Sequence, residues 1–174
     1  AMPRWIVARI EPGDDGKDTK VPYRPRHPKR KAAVDDPATW SDFDTACRLV
    51  ESDSTWMLGF MLGGSGYVGI DFDHCRDPHT GVVAPWASDL FTHIGTYVES
   101  SISETGVHAL AVGMLPLGRR RTGKMGKCAR VPVGCEVEMY DSGRYFLMSG
   151  RPLPGSPTVI SVRTTEIAPV QAAL

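Results

Sequence analysis

Five residues, Gly69-Ile70-Asp71-Phe72-Asp73, restrict the fold of this chain more than any other segment. Alternating apolar and acidic, as a strand does, they send Ile70 and Phe72 to one side and Asp71 and Asp73 to the other. The apolar side demands a core. The acidic side sets two like charges close together, where each raises the other's pKa. A divalent cation removes that penalty, because hard cations prefer carboxylate oxygen. The plain alternative has Asp73 capping a turn and Asp71 simply exposed. A second segment, Cys135-Glu136-Val137-Glu138-Met139-Tyr140, repeats the pattern, with Glu136 and Glu138 on one face and Val137 and Met139 behind. Exposed Glu on an edge strand is common, so this segment gains weight only beside the first, where Glu136 or Glu138 could complete a three-carboxylate site.

The remaining elements place these strands in an α+β chain built from hairpins rather than βαβ repeats. A first strand is expected over 4–10, ended by Glu11-Pro12-Gly13-Asp14. Asp36-Pro37 reads as a cap with proline in the first turn of an amphipathic helix over 37–51, carrying Trp40, Phe43, Cys47 and Val50 at helical spacing. Residues 56–62 and 67–72 bracket Gly63-Gly64-Ser65-Gly66 and read as a hairpin. Pro85 opens a second helix with Trp86, Leu90 and Ile94 inward. A strand pair follows, 97–99 with 107–112, and a further hairpin joins 136–140 to 144–148 through Asp141-Ser142-Gly143. From Arg151 the chain is proline-rich, with a short strand expected near 159–162 and a helix from Glu166.

With 174 residues, 41% apolar and 23% charged, the chain suits one globular domain, 1–174, and excludes a disordered or coiled-coil one. No apolar run spans a bilayer and no segment has the order of a signal peptide, so the reading is neither secreted nor membrane-embedded. Ala1 ahead of Met2 reads as a tag remnant. Lys and Arg total 20, as do Asp and Glu, but the cations are segregated. Lys20, Arg24, Arg26, Lys29, Arg30 and Lys31 fill one acid-free stretch, and Arg119, Arg120, Arg121, Lys124, Lys127 and Arg130 another. Both contain Pro or Gly and lack apolar periodicity, so they read as loops suited to a nucleic-acid backbone, or as solvated loops alone. Cys47, Cys75, Cys128 and Cys135 read as reduced thiols; zinc on Cys75, His79, Cys128 and Cys135 lacks a tight ligand pair and is not favoured.

His108 opens an apolar strand, where a lone histidine is more often an ordinary core or edge residue. It gains interest from the hydroxyl-rich turn before it, Ser100-Ser101-Ile102-Ser103-Glu104-Thr105-Gly106, which can offer backbone N–H and side-chain donors to a phosphate. Gly118-x4-Gly123-Lys124 fits the phosphate-loop spacing, but Met125 replaces the metal-holding hydroxyl and no apolar helix follows; it is a false positive.

Five marks in order now resemble one family. They are Lys20-Val21-Pro22-Tyr23; Asp36-Pro37-Ala38-Thr39-Trp40; Gly69 to Asp77; Glu99 to His108; and Glu138-Met139-Tyr140-Asp141 with Gly143-Arg144-Tyr145-Phe146. Over roughly 4–150 the chain is similar to the primase-polymerase (prim-pol) branch of the archaeo-eukaryotic primases, in its phage and plasmid form. The resemblance implies an RNA-recognition-like (RRM-like) catalytic core packed on an N-terminal α/β unit, with mixed or antiparallel sheets. It implies Mg2+ or Mn2+, as two divalent ions, on Asp71, Asp73 and Glu138, with Glu136 as the fallback. It implies His108 on the phosphates of the incoming nucleotide, helped by Ser103 or Thr105, since Gly106 stands where many members have Ser. Tyr140, Arg144 and Tyr145 are the implied sugar, base or nucleotide contacts. Lys20, Arg24, Lys29, Arg30, Lys31, Arg119, Arg120, Arg121, Lys124 and Lys127 are the expected DNA contacts. The implied activity is that of a DNA primase and polymerase acting on single-stranded DNA with NTPs or dNTPs. The implied setting is the cytoplasm of a bacterial host, and 151–174 is read as an exit segment leading to a C-terminal helicase. The rivals are a metal-dependent glycosyltransferase, which would need a doubly wound half absent here, and a non-catalytic nucleic-acid-binding module with an idle metal site.

Overall fold

The computed structural model describes residues 3–13, 16–117 and 130–172. It is an α+β chain that divides into two compact units, one of residues 1–63 and 142–149, the other of residues 64–141 and 150–174.

The first unit is a five-stranded antiparallel sheet. Its strands are β1 (Trp5–Pro12), β2 (Asp18–Arg24), β3 (His27–Lys31), β4 (Met57–Met61) and β9 (Tyr145–Met148), in the order β3-β2-β1-β4-β9. Helix α1 (Phe43–Ser52) packs on one face, where Ala46, Leu49 and Val50 join Val7, Tyr23 and Trp56 in one apolar cluster. Trp5 meets Phe43 edge-on at 4.8 Å, and Tyr23 meets Trp56 at 5.4 Å.

Two sequence expectations change here. The basic stretch 20–31 is a β2–β3 hairpin, not a loop. Its alternation is hidden because Val21 and Tyr23 are the only large apolar residues in it, yet Tyr23 is buried and pairs with Val7 of β1. The cations occupy the outer positions and the edge strand, where charge also deters edge-to-edge pairing. The helix expected over 37–51 is split. Asp36 caps only a short 3-10 turn, Pro37–Thr39, and the chain then extends so that Ser41 exchanges backbone hydrogen bonds with Trp5 at 2.8 and 2.9 Å. Trp40 is buried, its indole N–H donating to the Ala33 carbonyl at 2.7 Å. Asp42 then restarts the helix by accepting from the Thr45 N–H at 2.8 Å.

The second unit holds β5 (Tyr67–Asp73), α2 (Pro85–Ile94), β6 (Tyr97–Ser100), β7 (Val107–Val112), β8 (Glu136–Tyr140) and α3 (Thr164–Ala172). Its four strands pair antiparallel in the order β6-β7-β5-β8. A β-α-β-β run followed by a strand that returns beside the first is the order of an RNA-recognition-type sheet. One face is apolar throughout: Val68, Ile70, Phe72, Val98, Val107, Ala109, Val137 and Met139 are buried with Leu90 and Ile94 of α2 and Ile167 and Val170 of α3. Phe72 contacts Phe91 at 6.2 Å and Trp86 at 6.4 Å between ring centres.

Two expected hairpins do not form. β4 and β5 follow one another across Gly63-Gly64-Ser65-Gly66 but enter different sheets, and so do β8 and β9 across Asp141-Ser142-Gly143. The central strands are taken up elsewhere: β5 sits between β7 and β8, and β4 between β1 and β9. The strand expected at 159–162 reduces to a single bridge between Val162 and Val112. Residues 150–153 run along β6, with Ser100 N–H on the Arg151 carbonyl and Leu153 N–H on the Val98 carbonyl. The helix expected from Glu166 is α3. Among the described residues no helix is long and apolar enough to cross a membrane.

Candidate active site

Strand register brings the chemistry-bearing residues into one row. Glu99 of β6 lies opposite His108 of β7, His108 opposite Asp71 of β5, and Asp71 opposite Glu138 of β8. One step along, Asp73 lies opposite Glu136; one step the other way, Tyr97, Leu110, Gly69 and Tyr140 align. Because side chains alternate along a strand, all of these share the sheet face opposite the apolar core. The inward alternates Ile70, Phe72, Val107, Val137 and Met139 are fully buried, so the row cannot slip by one residue without exposing the core and burying the acids.

The ring of His108 is 8% exposed, and its Nε2 lies 3.5 Å from Asp71 Oδ1. Asp71, Asp73 and Glu138 are half-buried and Glu136 is buried. Among the described residues no three His, Cys, Asp or Glu side chains are drawn together as a closed ligand cluster. Asp71, Asp73, Glu136 and Glu138 lie on adjacent strands and share one face, and carboxylate oxygens are the donors that hard divalent cations prefer. Cys75 does not belong to it. Its thiol donates to the Phe72 carbonyl at 3.2 Å, and burial pushes its pKa up to about 12. Cys135 donates to the His74 carbonyl at 3.4 Å; Cys128 lies outside the described residues.

The turn joining β6 to β7 is held from within and from outside. The Ser101, Ser103 and Thr105 hydroxyls form a chain at 3.0 Å per step, and the Gly106 N–H donates to Ser101 Oγ at 3.2 Å. Arg76 donates its backbone N–H to the Thr105 carbonyl at 2.9 Å and its guanidinium to the Glu104 carbonyl at 2.8 Å. Arg151 pairs with the Glu104 carboxylate. Glu104 sits at φ +63°, a conformation L residues seldom adopt, and these two arginines fix it there. Gly106 is forced: a Cβ on it would stand 2.5 Å from the Phe72 carbonyl oxygen and 3.5 Å from Asp73 Cα. A serine there would push on the strand that carries the Asp pair.

Tyr145, Arg144 and the expected cations of 20–31 fall in the first unit. Tyr145 is half-buried, donates its hydroxyl to the Lys20 carbonyl at 2.6 Å, and burial pushes its pKa up to about 12. Arg144 is exposed on the turn before it. Lys20, Lys29, Arg30 and Lys31 are exposed on the β2–β3 hairpin, while the Arg24 guanidinium reaches back to the Lys31 carbonyl at 3.1 Å. Arg26 is tied to Asp42 at 2.7 Å and is not an open cation. Arg119, Arg120, Arg121, Lys124 and Lys127 lie outside the described residues. Sequence reasoning missed Glu99, Arg76 and Arg151 as parts of the site. For Glu99 the signal was present, since Tyr97 and Glu99 alternate with Val98 as Asp71 and Asp73 do with Phe72, but its pairing with His108 is a matter of register.

No family model matches the chain. Over 153 residues, 87% of its length, it is 34% identical to a protein of Nitratiruptor phage NrS-1 named DNA Primase-polymerase. The chain spans about a fifth (20%) of that relative's length. That likeness, over most of the chain, supports a primase-polymerase domain of the phage type.

Proposed function

We infer that this domain performs template-directed nucleotidyl transfer, making and extending primers on single-stranded DNA from NTPs or dNTPs. The observation that carries this is the row His108–Asp71–Glu138, with Asp73 on the same face. Asp71, Asp73 and Glu138 would hold two Mg2+ or Mn2+ ions, which when bound neutralise the triphosphate and acidify the attacking 3′-hydroxyl. The chain's own part is to place charge and donors before the reaction begins. The carboxylate row fixes where the reacting end lies. His108 meets the leaving phosphates, and the turn of residues 101–106 adds the Ser103 and Thr105 hydroxyls. Tyr140, two residues beyond Glu138 and on its face, packs on the sugar or base. In the first unit, the exposed cations of the β2–β3 hairpin and Arg144 hold backbone phosphates of template or primer, with weak sequence preference. The same reading places the domain ahead of a helicase region in a longer replication protein working in the host cytoplasm.

The test is incubation with single-stranded DNA, labelled nucleotides and Mg2+ or Mn2+, with and without a primer, beside an Asp71→Ala/Asp73→Ala control. Product from the native chain alone supports the reading. DNA binding without product in either chain favours a binding module with an idle site.

A further inference from the structure

The reading above leaves one buried acid without a role. Glu99 is fully buried, and its Oε2 accepts from the Tyr97 hydroxyl at 2.8 Å and from the Gly150 N–H at 3.0 Å. Burying a carboxylate is costly, and a neutral glutamine could accept both of those bonds. They explain an acceptor at this place but not an acid. The neighbour that does call for an anion is His108, the direct cross-strand partner of Glu99. Partners in such a pair have Cβ atoms about 5 Å apart, within reach of a glutamate and an imidazole on one face. On its other side the imidazole turns Nε2 toward Asp71, at 3.5 Å. The ring therefore lies between strands that carry Asp71 and Glu99, with Nε2 on the Asp71 side.

We propose that Glu99 is the positioning residue of His108, its carboxylate taking the Nδ1–H and holding the ring plane so that Nε2 faces the acidic row. The logic is that of the carboxylates that orient histidines at metal and triad sites: a fixed second nitrogen fixes the first. Tyr97 and the Gly150 backbone hold Glu99 in turn, so the chain Tyr97–Glu99–His108–Asp71 crosses three strands of one sheet. The kinetic consequence rests on the nucleotidyl-transfer reading; the geometric one does not.

Both are measured on the whole chain. In protein carrying nitrogen-15 histidine, the His108 ring N–H is assigned by its loss in His108→Ala. Glu99→Gln is expected to move that resonance upfield and broaden it by exchange. With primed template, Glu99→Gln is expected to raise the nucleotide KM about tenfold, with a smaller fall in kcat, and to have little further effect in a His108→Ala background. An unchanged ring resonance overturns the proposal, and so does a KM effect that persists undiminished without His108. If the native chain makes no product, the functional reading falls and the ring resonance alone decides the role of Glu99. If Glu99→Gln does not fold, Tyr97→Phe, which loosens Glu99 without removing its charge, is expected to shift the same resonance less far; no shift overturns the proposal.

Discussion

Single residues carry the strictest geometric demands in this chain. Gly106 lies so close to β5 that a side chain there must displace either the Phe72 carbonyl or the turn itself. Gly106→Ser is therefore expected to cost about 1–3 kcal/mol, the usual range for overpacking, read as a lowered Tm. Nucleotide incorporation should fall further than the loss of folded protein explains, because the displaced backbone carries Asp73. Asp42 makes a different demand. Hydrogen bonds from Thr45, side chain and backbone, and from Arg26 hold its carboxyl below the usual carboxylate range. A depressed folded-state pKa adds stability above the unfolded value and loses it as the pH falls through the folded one. Asp42→Ala should thus lower Tm at neutral pH, and its difference from the native chain should shrink toward strongly acidic pH. The shared faces were readable beforehand, because Asp71 with Asp73 and Glu136 with Glu138 declare themselves by type and alternation. The need for Gly106 was not, since it arises from a strand distant in sequence.

At the scale of elements, the sequence showed which segments are extended but not which ones pair. The glycine-rich link 63–66 has every local mark of a hairpin turn, yet β4 and β5 join separate sheets because each is a central strand with two better partners. Local turn chemistry is weak against two full ladders of hydrogen bonds and a buried face. The β2–β3 hairpin was hidden for the opposite reason: its cations mask the alternation of Val21 and Tyr23. That hairpin makes a prediction of its own. Replacing Lys29, Arg30 and Lys31 with alanine should weaken single-stranded DNA binding about equally for all sequences. It should also flatten the plot of log affinity against log salt by about 2, at roughly 0.7 per phosphate contact. Titration at several salt concentrations reads both; an unchanged slope would place the template elsewhere. Within the β5 region, the Cys75 thiol, raised by burial to about 12, should resist alkylation at mildly alkaline pH until the chain unfolds.

For the whole molecule, the acidic face is the feature that joins fold to function. Antiparallel register lines up residues from β6, β7, β5 and β8 that are distant in sequence, with Asp71 and Glu138 as direct neighbours. No local pattern could have shown this, although the family resemblance anticipated three of its members, and the phage relative supports the same domain type over 87% of the chain. Like-charged carboxylates on one face repel until a cation binds, and a ligand that binds only the folded state stabilises it. Mn2+ should accordingly raise the Tm of the native chain and leave that of Asp71→Ala/Asp73→Ala nearly unchanged. The most direct measurement of the central claim is nucleotide incorporation on a primed single-stranded template with Mn2+, by the native chain and by that double variant. The account predicts product from the native chain and none from the variant, with DNA binding equal in both. Equal product from both would contradict it, because the row Asp71, Asp73 and Glu138 would then not be where the chemistry is done.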